Sequence, residues 1–160
     1  MAKVGRGVQL GLSWVKTKRG DLPDGAIQTQ PGVYVCRAWH EGEQIPGKYV
    51  PRYALAYVSY GGKEHQETEC EVLCDTSCPG KSCCYEWVSA SGGEVPKKAI
   101  VAGIASDGQP LYIAKALVGA LVGDEVCGGK VHNGHSCAYM PYADDEHSVD
   151  KYEVLVWKKE

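Results

Sequence analysis

Phenylalanine is absent from this 160-residue chain and methionine occurs twice, so the aromatic content rests on 10 Tyr and 4 Trp. Nearly all of that aromatic surface carries a polar tip, which tolerates half-exposed positions and ligand contact. Charge of one sign is also lacking. Lys and Arg number 17 against 20 Asp and Glu, a formal net charge of -3, which excludes a general attraction to nucleic acid or to an anionic membrane surface. No stretch approaches the ~20 apolar residues of a membrane-spanning helix. The opening "MAKVGRGVQLGLSW" has no apolar run of signal-peptide length, so the expectation is a cytoplasmic or non-classically secreted protein without membrane insertion. Eight cysteines pull the other way, toward a disulfide framework and extracellular action.

What is abundant is turn chemistry. Gly 20 and Pro 8 are high while the apolar content is ordinary, which favours strands over helices.

The chain repeats itself. "SWVKTKRGDLPDGAI", "GVYVCRAW", "GEQIPGKY", "ALAYVSYGGKEH" and "CEVL" return in the same order as "EWVSASGGEVPKKAI", "PLYIAKAL", "CGGKV", "CAYMPYADDEH" and "YEVLV". Trp14 matches Trp87, Pro23 Pro96, Ala26 Ala99, Tyr34 Tyr112, Lys48 Lys130 and His65 His147. The offset grows from 73 to 78 to 82 along the chain, so the second copy carries insertions on both sides of its central strand, in Gly-rich stretches where loops tolerate them. The expected organisation is a first repeat over 1–73, a Cys-rich inter-repeat segment over 74–84 and a second repeat over 85–160, forming one compact unit.

Within each copy the apolar runs are short, alternating and bounded by Gly, Pro and Asp, which predicts strands throughout. The one helix-like run, "IAKALVGALVGDEV", contains two interior glycines, each costing a helix about 1 kcal/mol. Its first part aligns with "VCRAW" and is read as strand.

The ordered motifs "WVKTKRGDLPDGAI", "VYVCRAWHEGEQIPGK", "AYVSYGGKEH" and "ECEVL", and their second copies, resemble the DM-nine repeat family and in particular its two-repeat mannose-binding lectins from bivalve molluscs. The resemblance covers Trp14 to Val156 and implies an all-β protein of two tandem, interlocked antiparallel β-sheet repeats about a pseudo-two-fold axis, often dimerised. It implies sugar binding without catalysis or cofactor. In those lectins an acidic side chain ahead of the central strand and a lysine after Pro-Gly contact the hexose. The matching lysines are Lys48 in "IPGK" and Lys130 in "CGGK". The matching acidic position holds Ala105, with Asp107 two residues on, and the first copy reads "QTQPG" with no acid.

A lysine beside a carboxylate can donate to one sugar oxygen while the acid accepts from its neighbour. The glycan-binding candidates are therefore Lys130, Asp107 and Lys48, with the bland alternative that the lysines sit on solvated turns and Asp107 shapes the "SDGQP" turn. Glu64-His65 and Glu146-His147 could be acid/base pairs, but neighbours on a strand point to opposite faces. They are read as scaffold: histidines that fix a closing hairpin. Cys127, His132, His135 and Cys137 have the ligand types of a zinc site at spacings that depart from the usual pattern; a Cys127–Cys137 disulfide, or bridges among Cys70, Cys74, Cys78, Cys83 and Cys84, are the alternatives. Cys36 is expected to be a buried strand thiol.

The functional expectation is a carbohydrate-binding lectin of mannose type in glycan or pathogen recognition, with its determinants in the loops around the central strands, where the copies differ. The alternative is an interaction or stress-response protein on the same scaffold without sugar binding.

Overall fold

The computed structural model describes residues 11–77, 84–120 and 123–158. Among them there is no α-helix, only one 3-10 turn at Pro51–Tyr53. The first repeat supplies β1 (Leu12–Lys18), β2 (Gln28–Gln30), β3 (Val33–His40), β4 (Glu43–Val50), β5 (Leu55–Tyr60), β6 (Lys63–Glu67) and β7 (Glu69–Asp75). The second supplies β8 (Tyr85–Ser91), β9 (Val101–Ile104), β10 (Pro110–Ala120), β11 (Gly123–His132), β12 (Ala138–Tyr142), β13 (Asp145–Val149) and β14 (Lys151–Trp157).

The sheet runs β1-β7-β3-β4-β5-β6-β13-β12-β11-β10-β14-β8, with β2 on β3 and β9 on β10. Adding seven to each strand of the first half and reading backwards generates the second half, which is the pseudo-two-fold relation expected of the duplication. Corresponding strands bury the same positions: β7 and β14 share one burial pattern, and β6 and β13 share another. Because strand side chains alternate between faces, identical patterns mean identical register against the core.

The halves meet at the tips of their closing hairpins. Asp145 pairs with Lys63, and the Glu64 and Glu146 amides donate to the Asp144 and Gly62 carbonyls at 3.1 Å each. The exchange is reciprocal in the side chains: Glu64 Oε1 accepts from the Asp144 amide and Glu146 Oε1 from the Gly62 amide, both at 2.9 Å. Interlocking extends to the core. Ala105 and Leu111 of the second repeat pack into the first repeat's cluster around Ile45, Tyr49 and Val58, and a shared cluster joins the equivalents Ile27 and Ile100, Val35 and Ile113, Leu73 and Leu155. At its edge Trp14 lies under Arg37, 4.2 Å from the ring centroid, and Trp87 under Lys115 at 4.3 Å. These are cation–π contacts that shield the paired tryptophans.

Three expectations need comment. The run after Leu111 is strand, as β10, up to Ala120, and Cys36 is a fully buried strand thiol. β7 continues to Asp75 with Cys74 fully buried, so the last strand of the first repeat enters the segment assigned to the linker. Cys78 and Cys83 lie outside the described residues.

Candidate functional site

"IPGK" and "CGGK" are the interiors of β4 and β11, and this corrects the reading of their lysines as residues on solvated turns. The glycine before each lysine is demanded by a neighbouring strand: a Cβ on Gly47 would run into the Tyr57 carbonyl oxygen, and one on Gly129 into that of Tyr139. That close approach drives each lysine inward. Lys48 is only 4% exposed and Lys130 8%, a burial that requires compensation of the charge.

For Lys48 the compensation comes from both repeats. Its Nζ donates to Glu125 Oε2 on β11 at 2.7 Å and lies 3.7 Å from Glu64 Oε2 on β6. The Tyr57 and Tyr142 rings flank it at 5.4 and 5.1 Å. Burial opposes the ammonium, but the Glu125 and Glu64 carboxylates outweigh it and raise the Lys48 pKa above its ordinary value. The group opens into a cleft of about 600 Å³ whose wall includes Gln30, Tyr34, Tyr53 and Asp144.

The second pocket, about 330 Å³, is the pseudo-symmetric copy. Lys130 Nζ donates to the Ser59 carbonyl at 2.8 Å and lies 3.6 Å from Glu146 Oε2, with the Tyr139 ring at 5.7 Å. Glu43, the equivalent of Glu125, accepts instead from the Ser106 amide at 2.9 Å and ties down the β9–β10 loop. With Glu146 no closer than 3.6 Å, burial wins and the Lys130 pKa falls, opposed in part by Glu146 and Glu43.

Asp107 and Ala105 stand on that loop and line the Lys130 pocket. Ala105 is buried, whereas the Asp107 side chain is 62% exposed, caps its turn by accepting from the Gln109 amide at 3.0 Å, and lies 3.9 Å from His132 Nε2. Thus Lys130 and Asp107 share one pocket, and Lys48 occupies another without an equivalent of Asp107. There Gln30 holds the corresponding loop, its Oε1 accepting from the Val126 amide at 2.6 Å.

The possible zinc set is not brought together. Cys127 is fully buried near Lys48, its thiol donating to the Pro141 carbonyl at 3.1 Å, while His132, at the far end of β11, stacks on His135 at the Lys130 pocket. Five residues of strand span about 17 Å, too far for one metal ion. Among the described residues no group of three or more His, Cys, Asp or Glu is placed to hold a metal. Among the described residues the Cys127–Cys137 bridge is not formed, and Cys70, Cys74, Cys127 and Cys137 carry free thiols; bridges to Cys78 or Cys83 fall outside the described residues.

His65 and His147 fix turns, their Nε2 atoms 2.9 and 2.8 Å from the Tyr60 and Tyr142 carbonyls. The glutamates before them had been assigned to scaffold, yet Glu64 and Glu146 line the two pockets. Sequence reasoning also missed Glu43, Glu125, Tyr57, Tyr139, Tyr60 and Tyr142. The signal was present: each pair recurs at the lysines' own offset of 82.

A buried ammonium set among carboxylates and tyrosines offers donors, acceptors and apolar ring faces in one concave site. Vicinal hydroxyls and the C–H face of a pyranose need that combination.

The family model of the DM9 repeat matches residues 28–149. Natterin-4 of Thalassophryne nattereri is 29% identical over 150 residues, covering 90% of this chain and 33% of that protein, so the chain spans about a third of this relative's length. The nematode sperm cell motility protein MFP2B is similar in fold, with a TM-score of 0.59 at 15% identity over 92% of this chain and 45% of that one.

Proposed function

Since the chain belongs to the DM9 repeat family, we propose that it is a carbohydrate-binding protein that takes mannose-type glycans in its two inter-repeat pockets and performs no chemistry on them. The observation that carries the reading is the duplicated pocket itself: a buried lysine, a glutamate of its own repeat and a tyrosine from each repeat, opening to solvent. In the Lys48 cleft the Glu125 and Glu64 carboxylates accept from hexose hydroxyls that Lys48 can meet as a donor, and Tyr57 and Tyr142 supply apolar ring faces. In the other pocket Asp107 supplies an exposed carboxylate beside Lys130. Two pockets make one chain bivalent, and a homodimer would present four, so agglutination would follow from avidity.

The test is a mannan pull-down and glycan array with wild type, Lys48→Ala, Lys130→Ala and Asp107→Ala. Lys130→Ala and Asp107→Ala should weaken retention on mannan about tenfold or more by removing one of two linked sites. Retention unchanged in all three variants would refute the site, and no retention of wild type on any glycan would refute the function, leaving a non-sugar interaction role for the scaffold.

A further inference from the structure

The two pockets share Lys, Glu and Tyr at every equivalent lining position discussed above, but they differ where Val50 and Tyr53 of the first face the cleft. Their equivalents 82 residues on are His132 and His135, which line the second. Among the described residues no histidine lines the Lys48 cleft. We infer that the Lys130 pocket is a pH-gated saccharide site, open at neutral pH and closed by protonation of His132 against Asp107, while the Lys48 cleft is indifferent to pH in the same range. This rests on the saccharide reading above and adds regulation of one of the two sites.

The geometry sets the tautomer. His132 Nδ1 lies 2.9 Å from the Asn133 carbonyl, which can only accept, so in the neutral ring Nδ1 carries the proton and Nε2 is a bare acceptor. That acceptor faces Asp107 Oδ1 at 3.9 Å. Two acceptors side by side do not bond to each other, and both stay available to a hydroxyl donor. When Nε2 gains a proton, it becomes a donor aimed at the carboxylate. The ion pair then removes Nε2 as an acceptor and ties up Asp107 Oδ1, which already accepts from the Gln109 amide.

His135 reinforces the effect. Its ring stacks on His132 with centroids 4.1 Å apart, and its Nδ1 lies 2.8 Å from the Tyr139 hydroxyl. Burial, His132 and Lys130 hold its pKa below the ordinary imidazole value, with Asp107 and Glu146 opposing. That direction favours the uncharged His135 ring, whose Nε2 or Nδ1 can then accept. The groups facing it are Glu43 from β4, Tyr60 from β5, Asp107 from the β9–β10 loop, Lys130 from β11, Tyr139 from β12 and Glu146 from β13, with the Cys137 thiol beside Tyr139. One ammonium and three carboxylates give the pocket a formal charge of -2 with both imidazoles neutral and 0 with both protonated. Acidification thus turns a negative, acceptor-rich site into a neutral, internally paired one, in the interval where histidine changes charge.

Titration of ¹⁵N-labelled full-length protein with methyl α-mannoside at pH 7.5 and pH 5.0 resolves the pockets through their own amides. Gly129 and Tyr139 report one, and Gly47 and Tyr57 the other. The dissociation constant at the Lys130 pocket should rise about tenfold at pH 5.0, while that of the Lys48 cleft changes less than twofold. His132→Gln should flatten the difference at the Lys130 pocket to less than threefold. Saccharide binding at pH 7.5 with the same pH response in both pockets, with none at the Lys130 pocket, or only in the Lys48 cleft, overturns the gate and leaves the saccharide reading standing. No binding in either pocket at pH 7.5 overturns both.

Discussion

Replacing Lys48 by methionine keeps the length and apolar stem of the side chain and deletes the charge that two glutamates have been buried to meet. Glu125 loses its 2.7 Å ion pair and Glu64 its 3.7 Å neighbour, with side chains only 18% and 8% exposed. Removing one partner of a buried ion pair costs about 3–5 kcal/mol because a buried charge is left uncompensated. Glu64 retains the Asp144 amide, so the lower end, about 3 kcal/mol, is expected. For a chain of this size that lowers Tm by about 6–12 °C. Adding Glu125→Gln should recover part of the loss: the coupling in a cycle of wild type, both single variants and the double variant should be about 2 kcal/mol. Lys130→Met should cost less, about 1–2 kcal/mol, since its direct partner is the neutral Ser59 carbonyl. The assay is urea unfolding followed by tryptophan fluorescence, with the slope unchanged among variants so that midpoints report stability. A Lys48→Met loss below about 1 kcal/mol, or an additive cycle, would refute the argument that this buried ion pair ties the repeats together.

Two further outcomes are expected. Gly47→Ala and Gly129→Ala should each cost more than about 3 kcal/mol, because the new methyl meets a strand carbonyl that cannot retreat without parting the sheet, whereas Gly32→Ala, at φ 86° with open space around it, should cost only about 1–2 kcal/mol; equal losses in urea midpoints would contradict the packing account. Stability should also fall at alkaline pH. Lys48, Tyr49, Tyr57 and Tyr152 have raised pKa values in the folded chain, and Tyr139 is pushed up to about 12. Each keeps its proton after the unfolded chain has lost it, so the contribution is complete below about pH 10 and is lost as pH rises toward the folded values. Thermal melts should show Tm dropping by about 5 °C or more from pH 9 to pH 11; a flat or rising Tm would refute the sign.

The candidate site was only partly legible. The resemblance to the two-repeat lectins points to Lys48 and Lys130, but "Pro-Gly-Lys" reads as a turn when each residue is judged by local propensity. In the fold the same glycine lies mid-strand, where its missing Cβ lets the adjacent strand close in. Local propensity cannot report that, since the constraint comes from a residue on another strand. Glu64 and Glu146 read as scaffold in the sequence for a related reason. On its own strand the carboxylate and the histidine after it diverge, and nothing nearby in sequence says that the carboxylate will face a lysine. The lining of the candidate site is of both kinds: the lysines, glutamates and tyrosines are what the copies share, while Asp107, His132 and His135 are where they differ.

Sequence alone determined that the chain is two copies of one all-β unit, because alternation with period two and turn residues between runs are local, and duplication is visible wherever order survives insertion. It also determined which residues are doubled. The tertiary structure decided how the doubled residues combine. Each pocket takes its lysine from one repeat and further side chains from the other, Glu125 and Tyr142 around Lys48, Glu43 and Tyr60 around the Lys130 pocket. Residues that far apart in the chain meet where the two halves join, at the β6–β13 seam and where β4 pairs with β9. A buried ammonium must then be neutralised by whatever that seam brings within a few ångströms, and that is a property of the packed molecule which no single segment encodes.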